Sequence, residues 1–149
     1  PKMDAWLKQL TDTIGTPDED LYLVGHSLGC ITILRYLETL NEEQEVGGAV
    51  LVAGFSDLKI TVDESEDVTE IKSFFETDVD FEKMKNHCKK FVAIHSDNDP
   101  YVSLRYADIF KEKLNAEVII EHNKKHFSGG DGITELPVAL EEILKMSES

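Results

Sequence analysis

Met3, Trp6, Leu7, Leu10 and Ile14 recur at three- and four-residue spacing, the stripe of an amphipathic helix, and the run Thr16-Pro17-Asp18-Glu19-Asp20 ends it. A short apolar run over 21–24 then reads as a strand closing at Gly25. From Ser27 the period changes back to helical, with Leu28, Ile31, Leu34 and Leu37 on one face. Residues 47–53 are apolar throughout, as a strand covered on both faces requires. Short helical patterns follow, carried by Val68, Ile71, Phe74 and Phe75 and by Phe81, Met84 and Cys88. A third strand is predicted over 91–94, a helix through Leu104, Ala107, Phe110 and Leu114, and a fourth strand over 118–120. The last helix begins near Pro137 and is expected to turn Leu140, Ile143 and Leu144 inward. Strands and helices alternate, which predicts an α/β fold: an open, mostly parallel sheet with helices on both faces in three layers. The polar stretch after Gly54, with its acidic run at 63–67, reads as a solvated loop within a short lid-like insertion around 55–88.

A length of 149 residues fits one domain over 1–149, and 41% hydrophobic content is enough for a packed core. Charge narrows the partners. With 30 acidic against 15 basic residues and a net charge of -15, nucleic acid and anionic membrane surfaces are excluded as default partners, and neutral or cationic small molecules are favoured. The uncharged mid-chain run 47–56 is about half of what a membrane-spanning helix needs. Residues 1–6 carry no secretory signal, and two cysteines, Cys30 and Cys88, make no disulfide framework, so a reducing cytoplasm is the expected compartment. The chain opens on Pro1 rather than methionine, and the expectation is a trimmed form of something longer.

The residues that carry chemistry are Gly25-His26-Ser27-Leu28-Gly29, a G-x-S-x-G pattern placed between a predicted strand and a predicted helix. A serine on so tight a turn is held in a strained conformation, and small residues two before and two after it let strand and helix nearly touch. The turn aims the Leu28 N–H and the positive end of the helix at one point, where an oxyanion would form. Such a nucleophile needs a histidine to take its proton and a carboxylate to orient that histidine. Candidates follow the later strands, since the carboxyl ends of parallel strands share one crevice. They are His95, Asp97 and Asp99 after the third strand and His122 and His126 after the fourth.

With Gly-His-Ser-Leu-Gly-Cys at 25–30, Val-Leu-Val-Ala-Gly-Phe at 50–55, Ser-Asp-Asn-Asp-Pro-Tyr-Val at 96–102 and His126-Phe127, the sequence resembles the α/β-hydrolase superfamily. Within it, the resemblance is to the small serine hydrolases of the retinoblastoma-binding protein 9 family and its bacterial relatives. It implies Ser27 as nucleophile, Asp99, just before Pro-x-Val, as the orienting acid, and His126, just before phenylalanine, as base. The implied activity is cleavage of a small ester or related acyl bond through an acyl-enzyme, without cofactor. Where the family often has proline, Ser103 stands, and where it has a glycine pair, Lys124 and Lys125 precede the histidine. The family also begins with an N-terminal strand whose loop gives a second oxyanion-hole N–H, and no residues here correspond to it. The alternative reading is therefore a catalytically weak or inactive hydrolase-fold binding protein. The Leu-x-Cys-x-Glu motif for retinoblastoma-type pockets is not completed, because Leu28 and Cys30 are followed by Thr32.

Several residues have plainer readings. Asp97 rivals Asp99, and either could cap the helix that begins near Ser103. His122 rivals His126, although at a strand end it fits a surface residue. His26 is read as bordering the substrate pocket or as structural at the turn. A metal site built from His95, Asp97, Asp99, His122 and His126 matches no tight ligand spacing, and none is expected. Ser128-Gly129-Gly130-Asp131-Gly132 reads as a flexible turn in preference to a phosphate cradle. Cys30 and Cys88 are read as small buried apolar residues, and Phe74, Phe75 and Phe81 as core in preference to an acyl pocket.

Overall fold

The computed structural model describes residues 1–59, 68–133 and 135–148; the acidic run at 63–67 lies outside the described residues. Among the described residues, β1 (Tyr22–His26), β2 (Gly48–Val52), β3 (Phe91–Ser96) and β4 (Glu117–Glu121) form one parallel sheet in chain order. Tyr22 lies opposite Gly48, Ala49 opposite Phe91 and Val92 opposite Glu117. Parallel neighbours need long crossovers. These run through α2 (Leu28–Glu38) between β1 and β2, through a 3-10 segment (Thr69–Phe75) and α3 (Phe81–Asn86) between β2 and β3, and through α4 (Arg105–Leu114) between β3 and β4. Helix α1 (Met3–Ile14) precedes the sheet and α5 (Pro137–Ser147) follows it.

Successive strand residues face opposite sides, and here both sides are packed. Leu23, Ala49, Leu51, Phe91 and Ala93 join a core built with α2, Phe74, Met84, Phe110 and Leu114. Val50, Val52, Val92 and Ile94 face the other way, onto Phe127 and onto Ala139 and Met146 of α5. The result is the three-layer α/β architecture expected from the alternation. Residues Gly48–Val52 of β2 are buried at every position, which is why this strand shows no polar alternation. The two outer strands are half covered, and Val24 of β1 is 54% exposed.

One local expectation is corrected. Leu140 and Leu144 do not turn inward: they are 62% and 51% exposed, because α5 docks through Ala139, Ile143 and Met146. Helix α1 leans on the core through partly buried Met3, Leu7, Leu10 and Ile14, with none of its residues fully buried, and Trp6 meets the edge of Phe74 at 5.3 Å between ring centroids. The short helical pattern carried by Val68, Ile71, Phe74 and Phe75 is a 3-10 helix over Thr69–Phe75. That segment is held by Arg35 of α2. Its guanidinium is buried, donates to the carbonyls of Phe74, Thr77 and Asp78, and pairs with Glu38 at 3.0 Å. A charged group is retained inside when its donors are all used in this way.

Candidate active site

Ser27 sits between the end of β1 and the start of α2 with φ 56° and ψ -117°, a left-handed conformation that L-residues rarely adopt. Its N–H donates to Val52 O at 2.8 Å, and its own carbonyl accepts from Cys30 N–H at 3.0 Å, so strand and helix fix the turn from both sides. A Cβ on Gly25 would lie 2.8 Å from Ile33 Cδ1 and 2.9 Å from Cys30 N, so glycine is required there. The same requirement expected at Gly29 is absent, since a Cβ there would meet nothing within 4 Å. Gly29 instead borders an apolar groove of about 520 Å³, lined also by Trp6, Leu10, Val24 and His26. Leu28 opens α2, and its N–H is one of the unpaired donors that a helix N-terminus presents.

Opposite this turn stand the ends of β3 and β4. His126 Nε2 lies 2.8 Å from Ser27 Oγ, and His126 Nδ1 lies 2.9 Å from Asp99 Oδ2. A carboxylate only accepts, so Nδ1 carries the proton it donates to Asp99, and Nε2 is left as acceptor for the Ser27 hydroxyl. Asp99 is also fixed on its other oxygen, where Oδ1 accepts from the N–H groups of Tyr101 at 2.8 Å and Val102 at 3.0 Å. Its side chain is 1% exposed and that of His126 14%. Tyr101 covers the edge of the His126 ring, 5.3 Å between centroids.

The rival residues form a second pair outside this chain of bonds. His122 Nδ1 donates to Asp97 Oδ2 at 2.6 Å, but His122 is 79% exposed and bonds Asp97, not Ser27. The hydrogen bond to Asp97 raises His122 above its ordinary value, and the Asn123 N–H together with His122 lowers Asp97. Asp97 caps no helix. His95 is fully buried, with Nε2 2.9 Å from Gly54 O, and burial lowers its pKa, which keeps it neutral. Among the described residues no group of three or more His, Cys, Asp or Glu side chains is placed to hold a metal ion.

His26 lines the groove, and its Nε2 lies 2.6 Å from the His126 carbonyl with the two rings 5.0 Å apart. Its contact is thus with the main chain of the base candidate. Cys30 is buried against Gly25 O and Val52 O, and burial pushes its thiol strongly up; Cys88 is pushed up to about 12 by burial. Phe74 is core, whereas Phe75 stacks on Phe55 at 5.4 Å and Phe81 packs against the core from its rim. The glycine-rich turn at 128–132 has its own anion built in. The Asp131 carboxylate accepts from His126 N–H at 3.1 Å and Ser128 Oγ at 2.9 Å, and it is lowered by the Ser128 bond first. Sequence reasoning missed Ser96, Asn98 and Asp131 as neighbours of the site, because short polar residues at a strand end or in a loop carry no periodicity. The one available signal was their placement directly after a strand end or beside His126.

The chain matches the family model described as serine hydrolase over residues 1–145. It is 32% identical over 138 residues to YdeN of Bacillus subtilis (strain 168), a protein named as a hydrolase, covering 93% of this chain and 70% of that protein. It is 26% identical over 110 residues to the serine hydrolase RBBP9 of Rattus norvegicus, covering 74% of this chain and 54%, about half, of that protein. The solved structure of the B. subtilis ydeN gene product superposes with a TM-score of 0.88 at 28% identity, covering 100% of this chain and 77% of that one. No described helix is long and apolar enough to cross a membrane.

Proposed function

The chain belongs to the serine hydrolase family, and from that membership and the site geometry we propose that it cleaves small carboxylic esters or related acyl bonds through an acyl-enzyme. The observation that carries the reading is His126 bridging Ser27 Oγ at 2.8 Å and Asp99 Oδ2 at 2.9 Å. In the first half-reaction Ser27 Oγ attacks the acyl carbon while its proton passes to His126 Nε2, and Asp99 stabilises the imidazolium that forms. The Leu28 N–H and the N-terminal end of α2 face the developing oxyanion. The tetrahedral intermediate then collapses, the leaving alcohol takes the proton from Nε2, and the acyl group remains on Ser27. In the second half-reaction water attacks the acyl-serine, again losing its proton to His126, and the carboxylic acid departs as Ser27 is restored.

His26 is a candidate substrate contact on the groove side. The experiment is fluorophosphonate labelling followed by intact mass on this chain and on Ser27→Ala. One adduct on the parent and none on the variant is the expected result. No adduct on folded parent protein would favour the hydrolase-fold binding protein instead. Ester substrates of increasing acyl length, with Ser27→Ala as blank, then define the substrate class.

A further inference from the structure

The loop that carries His126 has an unusual backbone. Asn123, Lys125 and Phe127, at alternate positions, have φ of 58°, 49° and 58°. Asparagine tolerates this region; lysine and phenylalanine do not adopt it unaided. Such a loop persists only where its surroundings over-determine it. The fate of its N–H groups shows what does so here. Asn123 N–H goes to Asp97 Oδ1 at 2.9 Å, Lys124 N–H to Ser96 Oγ at 3.0 Å, and Lys125 N–H to Asn98 Oδ1 at 2.8 Å. His126 N–H goes to Asp131, and Phe127 N–H to Lys124 O at 2.9 Å. Ser96 Oγ–H in turn donates to Asn98 Oδ1 at 2.9 Å, tying two of the acceptors together.

We propose that Ser96, Asp97 and Asn98 are positioning residues for the base: three consecutive side chains at the end of β3 and just beyond it take the three consecutive N–H groups of Asn123, Lys124 and Lys125, and so hold the strained loop where His126 reaches Ser27 and Asp99 together. The same stretch of chain that supplies the orienting acid at Asp99 thereby also sets the height and direction of the histidine it orients. Asp97 and Asn98 are exposed, so their side chains serve no core packing, and the His126 carbonyl is met from the other side by His26. Without the acceptors, Lys125 returns to an ordinary conformation and the imidazole swings away from Ser27.

The inference rests on the Ser27 reading, and its test separates the two. The rate of fluorophosphonate modification is measured for the parent, Ser96→Ala, Asn98→Ala and Asn98→Asp, with the thermal midpoint of each. The low-field proton signal of the His126 Nδ1–H bonded to Asp99 is recorded by NMR on the same samples. The alanine variants are expected to react about 10- to 100-fold more slowly, as a misplacement near 1 Å produces, and to lose or shift the low-field signal. Asn98→Asp keeps an acceptor oxygen for Lys125 N–H and is expected to recover most of the rate. Alanine variants that react at the parent rate, or Asn98→Asp as slow as Asn98→Ala, would overturn the proposal while leaving Ser27 as nucleophile. If the parent itself is not modified, the hydrolase reading fails, and the NMR signal decides alone: unchanged in Asn98→Ala it overturns the positioning role, altered it supports it. Asn98 is exposed, so its variants remain measurable even if Ser96→Ala does not fold.

Discussion

Asp99→Asn isolates the orienting role of one carboxylate oxygen. Asp99 Oδ1 already accepts from Tyr101 and Val102 N–H at 2.8 and 3.0 Å, and Oδ2 accepts from His126 Nδ1–H at 2.9 Å. An amide at this position has one acceptor atom and one donor group. Two main-chain N–H groups outweigh one, so the amide oxygen takes the Oδ1 place and its NH2 faces His126. The imidazole must then accept at Nδ1 and carry its proton on Nε2, which leaves nothing to receive the Ser27 hydroxyl proton. A wrong tautomer in a Ser-His-Asp site costs about 10⁴-fold in kcat, or about 5 kcal/mol of transition-state stabilisation. The turn at Tyr101 and Val102 keeps its bonds, so folding stability should change by no more than about 1 kcal/mol. Asp99→Ala, by contrast, leaves those N–H groups without their acceptor and should cost about 1–3 kcal/mol as well as the activity. Ester turnover and probe-labelling rates on the two variants, with urea unfolding beside them, check both halves. If Asp99→Asn reacts within threefold of the parent, Asp99 is not the orienting acid and the tautomer argument fails.

Gly25→Ala should destabilise the protein by about 1–3 kcal/mol in urea unfolding and abolish labelling, because the new methyl is driven onto the Cys30 main chain. Ser27→Gly should be more stable than Ser27→Ala by about 1 kcal/mol, since only glycine relieves the left-handed strain while both lack the hydroxyl; equal unfolding midpoints would show the turn to be unstrained. His122→Ala tests the exposed pair. His122 is raised, so its contribution is full below its ordinary value and lost as pH rises through the raised one; Asp97 is lowered, so its share is full above its ordinary value and lost as pH falls through the lowered one. The parent-minus-variant difference in thermal midpoint should thus be greatest between pH 3.8 and 6.5 and shrink on either side. Neither buried thiol should react with a thiol reagent until the protein unfolds, Cys88 being held at about 12 and Cys30 pushed up strongly by burial.

Much of this protein was determined by the sequence alone, wherever the controlling interactions are local. The alternation of strand and helix periods set the three-layer parallel fold, and a short, fully apolar, β-branched-rich run such as 48–52 between turn signals fits a strand covered on both faces. The G-x-S-x-G turn predicted a strained serine, and the φ of 56° at Ser27 follows from strand and helix meeting there. What tertiary structure decided are the interactions between segments distant in the chain. Two histidines and two aspartates pair off as His126 with Asp99 and His122 with Asp97, and only the first pair reaches Ser27, a choice made by how the β3 and β4 ends are set side by side. Helix α5 shows the same limit, since its apolar positions outnumber those a single sheet face can cover, and docking geometry left Leu140 and Leu144 outside. Arg35 is buried because three carbonyls of a segment distant in the chain converge on it. The base loop is the furthest from the sequence pattern, because Lys125 and Phe127 have no preference for the backbone they adopt. Hydrogen bonds from another strand's end impose it, and such bonds have no period to read.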